Sequence, residues 1–226
     1  MVTRACQFLR PLFSSASPAW IHIWRPDGTL VRTLRTEQTG GKFLNVAWSP
    51  DGSLILAGAV DYGIWRSDGT PVAHLWPGGS PVWGMAWSPD GKTIAFGDEN
   101  GTLVLYDTHG SRLEEVSYLP PIVHLAFSPD GTVLAVSGAK LQLRSTAHLT
   151  EHVVALGPSN GAGPVWSPTG TVAAGAHPSL WDARGRPVAV LSGCLADTLS
   201  LAWSPDGSQL AGGSDHGDVC VWHLGG

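Results

Sequence analysis

Charge is sparse in this sequence: Asp, Glu, Lys and Arg together make up 14% of its 226 residues, and the formal net charge is −5. It has no lysine- or arginine-rich block, which removes the clustered positive charge that nucleic-acid partners demand. At 43% hydrophobic residues the chain is not a disordered, solvating polymer. Its apolar runs fall short of the ~18–20 residues that cross a bilayer, so no membrane span is expected. Cysteine is scarce too. Cys6, Cys194 and Cys220 are odd in number and lack CxxC spacing. They predict neither a disulfide framework nor a zinc site, and fit a reducing, cytoplasmic setting. Residues 1–17 lack acids and carry Arg4 and Arg10 among Ser and Ala. That composition suits a targeting segment but has no apolar secretory core, and residues 1–19 are read as an irregular N-terminal segment.

Three residue types are abundant: glycine (29), proline (17) and tryptophan (11). Their positions are regular. Ser-Pro-Asp-Gly occurs at Ser49–Gly52, Ser88–Gly91, Ser128–Gly131 and Ser204–Gly207, and Ser167-Pro168-Thr169-Gly170 is a fifth copy with one change. The spacings are 39, 40, 39 and 37 residues, and each copy follows an aromatic: Trp48, Trp87, Phe127, Trp166 and Trp203. The tetrapeptide has the chemistry of a tight hairpin. Serine accepts from a later N–H, proline pre-sets φ, and the final glycine supplies the left-handed conformation that closes the connection.

Short β-branched and aromatic runs flank each turn, and a third run ends on a bulky residue at Ile64-Trp65, Leu105-Tyr106, Leu180-Trp181 and Val221-Trp222. A polar turn and a fourth run follow. Four strands in about 40 residues make one propeller blade. The reading is therefore all-β: a β-propeller of four-stranded antiparallel blades over residues 20–226. Its units lie near 20–34 (partial), 43–75, 82–118, 122–157, 163–191 and 199–224. Tryptophan is expected as filler between blades. The unit at 163–191 is the weakest, because Pro164 falls in its first strand and cannot donate to a ladder.

This pattern resembles the WD-repeat family. Tyr106-Asp107 and Trp181-Asp182 match that family's Trp-Asp ending, while Trp65-Arg66 and Trp222-His223 keep only the aromatic. Asp61, Asp98 and Asp215 stand near the turn where the family places a structural aspartate. The Gly-His pair that often precedes its first strand is missing throughout. The repeated Ser-Pro-Asp-Gly is also similar to periplasmic TolB-like propellers.

The chain starts and stops inside a unit, which leaves three arrangements open. Thr29–Leu34 could complete the last unit and close a five-bladed ring; residues 1–24 could contribute to a sixth blade; or the repeats could belong to a longer, incomplete propeller.

Catalytic signals are weak. His148-Leu149-Thr150-Glu151-His152 fits H-x-x-E-H, but that chemistry needs a helix to aim both histidines at one metal. Here it falls between two strands. No catalytic residue, cofactor or metal is expected, and the chain is read as a non-enzyme. The resemblance implies a protein–protein interaction scaffold binding proteins or peptides at one rim. The alternative is a periplasmic or accessory TolB-like propeller serving a transporter or larger enzyme. Mapping that rim selects Tyr62, Trp76, Trp83, Asp98, Glu99, Tyr118, Asp215 and His216 as partner-binding candidates.

Overall fold

A computed structural model describes residues 3–5, 13–17, 20–35, 45–58, 62–75, 80–117, 120–158, 161–194 and 196–224. The turns behave as their chemistry dictates. At the first, the Gly52 N–H donates to the Ser49 carbonyl at 3.0 Å and Gly52 adopts φ of 76°. Ser49 Oγ accepts the Leu54 N–H at 2.9 Å and donates to Asp51 Oδ1 at 2.6 Å. The same pair of side-chain bonds recurs at Ser88, Ser128 and Ser204. At the fifth turn the Thr169 hydroxyl stands 3.0 Å from Ser167 Oγ in place of the carboxylate.

These turns join strands into six antiparallel sheets. The first holds β1 (Thr3–Ala5), β2 (Phe13–Ser17), β3 (Trp20–Trp24) and β4 (Leu30–Arg35); the second β5 (Asn45–Trp48), β6 (Leu54–Gly58), β7 (Tyr62–Arg66) and β8 (Pro71–Leu75). In the third are β9 (Val82–Trp87), β10 (Thr93–Asp98), β11 (Thr102–Asp107) and β12 (Arg112–Ser117). The fourth has β13 (His124–Phe127), β14 (Val133–Ser137), β15 (Lys140–Ser145) and β16 (His152–Pro158). Sheet five contains β17 (Val165–Trp166), β18 (Thr171–Ala174), β19 (Ser179–Asp182) and β20 (Pro187–Val190). Among the described residues, sheet six contains β21 (Thr198–Trp203), β22 (Gln209–Ser214) and β23 (Val219–His223). First strands of successive sheets adjoin, β5 to β9 to β13 to β17 to β21, and β1 and β2 lie against β5. This is a propeller-like array of blades.

Strand period two explains the packing. In each third strand one residue faces the following sheet and its neighbour faces the preceding one. Ile64 packs with Ile94, Phe96 and Tyr106 of sheet three, whereas Trp65 packs with Ile21 and Ile23 of sheet one. Leu105 likewise meets Leu125 and Leu134, and Leu180 meets Leu210. The aromatics fill between sheets as expected, and some also bond there. Trp166 Nε1 donates to the Ala126 carbonyl at 3.0 Å and Trp203 Nε1 to that of Val165 at 3.2 Å.

Several expectations change. Leu30–Arg35 pairs with Trp20–Trp24 and not with the last unit, so the N-terminal strands build a sheet of their own. Two strands, β1 and β2, lie within the segment expected to be irregular. Hydrogen bonding to an adjacent chain neighbour incurs less loop-closure entropy than pairing across the whole molecule. In sheet four a buried Arg144 takes the aromatic's place, donating to the Leu149 carbonyl at 2.6 Å. Cys194 and Cys220 form a disulfide, against the expectation of none. Their separation of 26 residues hid a proximity that only blade stacking creates. Pro164 lies outside β17, and that strand is cut to two residues.

Candidate functional site

The turns between second and third strands meet the loops leading into first strands, and together they make one rim. The Glu99 N–H donates to the Pro81 carbonyl at 3.1 Å, and the Ile122 N–H to that of Asp98 at 3.0 Å. Further round, Thr198 N–H donates to Ala176 O at 2.9 Å and Asp215 N–H to Asp197 O at 3.2 Å. The Ile122 and Thr198 bonds link sheet to sheet along this edge, and the other two tie an entering loop to a turn of its own sheet. Each satisfies a loop donor that would otherwise need water.

Inside the rim, residues from five first strands and the loops ahead of them border one cavity of about 410 Å³. Trp83, Met85, His124, Leu125, Pro164 and Leu199 line it, with Asn45 at one side. Asn45 Nδ2 reaches both the Tyr62 hydroxyl and the Val82 carbonyl, each at 3.1 Å. His124 stays open to solvent in this cavity, yet protein on several sides desolvates it and holds its pKa below the usual histidine value. A Cβ on Gly163 would stand 2.5 Å from the His124 ring, so only glycine there leaves the imidazole its position. Trp83 is 46% exposed and Leu199 58% exposed.

The residues expected at the rim divide. Trp83 lies at the cavity. Tyr62 is wholly buried against Phe96, ring centroids 4.8 Å apart, and burial pushes its hydroxyl pKa up to about 12. It is a core residue whose hydroxyl serves Asn45. Asp98 is also buried, and its carboxylate caps the following turn, accepting the Asn100 N–H at 3.0 Å and the Thr102 N–H at 2.7 Å. Glu99 is partly exposed beside it. Asp215 and His216 form an exposed pair, 2.8 Å apart, between the second and third strands of sheet six. Trp76, Tyr118 and Asp61 lie outside the described residues. Asn45, Met85, His124 and Leu199 were not anticipated, and no motif in the sequence marks them.

The H-x-x-E-H match has a different structure from the one its chemistry needs. Glu151 N–H closes a turn onto the His148 carbonyl at 3.0 Å, and His152 begins β16. Leu149 is buried between sheets three and four, where its N–H meets Glu114 Oε1 at 2.9 Å. With Arg144 on its carbonyl, the Leu149 backbone bridges a carboxylate of sheet three and a guanidinium of sheet four. Among the described residues no group of three or more His, Cys, Asp or Glu is placed to hold a metal ion.

The model of the WD domain, G-beta repeat family matches residues 28–66, 67–107 and 185–223, together more than half of the chain. The chain belongs to the WD-repeat family. Each match runs from a fourth strand to the third strand of the next sheet, so the sequence repeat straddles two blades. Sheet four lies wholly outside the matches, as do the first three strands of sheet five. No curated protein matches the chain. Among solved structures, a crystal structure of the computationally designed Ika8 protein is similar at 18% identity and a TM-score of 0.82. The similarity covers 99% of this chain and 71% of that one.

Proposed function

We propose that this WD-repeat chain is a non-catalytic scaffold that binds proteins or peptides at the mouth of its central cavity. The observation that carries this reading is the exposed pair of large apolar side chains, Trp83 and Leu199, bordering one opening with His124 between polar and apolar walls. An aromatic anchor in a partly desolvated recess is the usual form of a binding hot spot. Among the described residues no helix is long and apolar enough to cross a membrane, and the negative net charge disfavours nucleic acid. The cytoplasmic placement expected from few cysteines is in tension with the Cys194–Cys220 bridge, which persists best in oxidising surroundings. Alkylation of unreduced protein taken from its native compartment decides that point.

The binding reading is tested by placing a photo-crosslinking residue at position 83 and, as control, at exposed Leu113 on β12. A discrete adduct at 83 alone, competed away by unlabelled protein but not by Trp83→Ala protein of unchanged melting temperature, supports it. Equal labelling at both positions removes it.

A further inference from the structure

We propose that the central cavity receives an uncharged, apolar side chain of the bound protein or peptide, and that protonation of His124 expels it. This specifies what the site accepts and rests on the binding reading above. Its starting point is the composition of the first strands. β5, β9, β13, β17 and β21 together hold no Asp, Glu, Lys or Arg, and His124 is their only titratable side chain. These five strands and the loops ahead of them border the cavity, so the absence of charge is concentrated at its wall.

A charged occupant would give up its water there and meet no counter-ion. Nor does Asn45 compensate a carboxylate. Both of its amide hydrogens are already donated, one to the Tyr62 hydroxyl and one to the Val82 carbonyl. Trp83, Met85, Leu125 and Leu199 supply apolar contact instead. The exposed area of Trp83 and Leu199 is what an apolar side chain would remove from water.

No neighbouring charge balances the His124 ring. The strands packed on β13 are β9, β10, β14 and β17, and Asp98 of β10 is their only titratable side chain. Asp98 is buried, with its carboxylate on the Asn100 and Thr102 N–H groups. Arg4 belongs to β1, which packs on β2 and β5. Desolvation is therefore what acts on the imidazole, and it favours the neutral ring. An apolar side chain laid over this open ring removes more of its water and weakens its hold on a proton again. The bound state then carries fewer protons than the free one. Affinity is complete above the His124 titration of the free chain and falls as the pH drops through it. An anionic occupant would reverse that sign, because it stabilises the imidazolium.

Blocked tripeptides, acetyl-Gly-Xaa-Gly-amide with Leu, Phe, Glu or Lys at the centre, are added to the full chain. NMR follows the imidazole resonance that disappears in His124→Leu. At about pH 7.5 the Leu and Phe peptides are expected to shift that resonance and lower its titration midpoint, and the Glu and Lys peptides to leave it in place. Affinity for the first pair falls by up to about tenfold for each pH unit below the free-chain midpoint. His124→Leu binds them without that dependence, and His124→Gln serves the same purpose if the leucine variant unfolds. His124→Lys, charged throughout, loses at least about tenfold at neutral pH with an unchanged melting temperature. Tighter binding of the Glu or Lys peptide overturns the proposal, as does an equal pH dependence in His124→Leu. Silence from all four peptides overturns it too. A position-83 adduct that still forms would then leave the binding reading standing, whereas loss of both removes that reading as well.

Discussion

Sheets three and six have the same strand plan and nearly the same third-strand signature, Leu105-Tyr106 and Val221-Trp222, but differ in burial. In β10, every residue from Ile94 to Asp98 is buried, because sheets two and four enclose it. In β22 burial alternates, Leu210 and Gly212 buried and Ala211 partly open, because only sheet five covers it. A blade therefore does not carry its own burial pattern. Its neighbours confer it, as in any stacked-repeat protein where stability is the sum of unit and interface terms.

The comparison can be broken most forcefully by paired truncation. Leu105→Ala is expected to cost about 2–5 kcal/mol in denaturant unfolding, a loss of transfer energy plus a cavity between two sheets. Val221→Ala is expected to cost less than about 0.5 kcal/mol. Similar costs for the two would show that sheet six is enclosed after all.

The disulfide comes next in size. It closes a loop of 26 residues onto the one-sided sheet, and Cys220→Ser is expected to lose about 3 kcal/mol. Hydrogen exchange should report that loss mainly in β21–β23, leaving β9–β12 protected. Uniform loss would mean that the six sheets unfold as one unit.

Acid sharpens the contrast between turns. Hydrogen bonds from Ser49 and Ser53 hold Asp51 down at about 2, and Ser204 does the same for Asp206, also at about 2. Asp90 and Asp130 are lowered with their serines as the leading cause. Folded values below unfolded ones mean that this stability is complete above the ordinary carboxylate range. It is lost as the pH falls from about 4 to about 2. These carboxylates are largely solvated, so a modest decline in thermal midpoint is expected across that window. The Ser167–Gly170 turn, without the carboxylate, should contribute nothing to it.

The smallest effect is a gain. Thr169→Asp gives the fifth turn the acceptor that its four counterparts possess, and is expected to stabilise by up to about 1 kcal/mol at neutral pH. The variant should also acquire acid sensitivity between about pH 4 and 2. A neutral or destabilising result would show that shortened β17, not the turn, limits this blade.

Much of the fold was legible beforehand. The turn glycines, the aromatic before each turn and the four runs per unit are local, short-range signals, and the strands of sheets two to six follow them, whereas β1 and β2 do not. Pro164 marked a first strand that is short, two residues in β17. The candidate site was legible only in part. Trp83, selected with the other rim candidates, borders the cavity, whereas Tyr62 and Asp98 are buried, and burial of a rim-adjacent side chain depends on how far the next loop folds over it. The cavity residues His124 and Leu199 carry no motif. They face one space only because separate sheets converge on it.

The sequence by itself determined the blade: a hairpin chemistry repeated every 37 to 40 residues, with aliphatic and aromatic positions set by strand period. Tertiary structure alone decided how the blades end. It paired Leu30–Arg35 with its chain neighbour and brought Cys194 to Cys220. The physical reason is that turns and alternation act between residues a few positions apart. Burial, bridging and edge exposure depend instead on which sheet stands alongside, and each repeat resembles the others too closely to specify its neighbour.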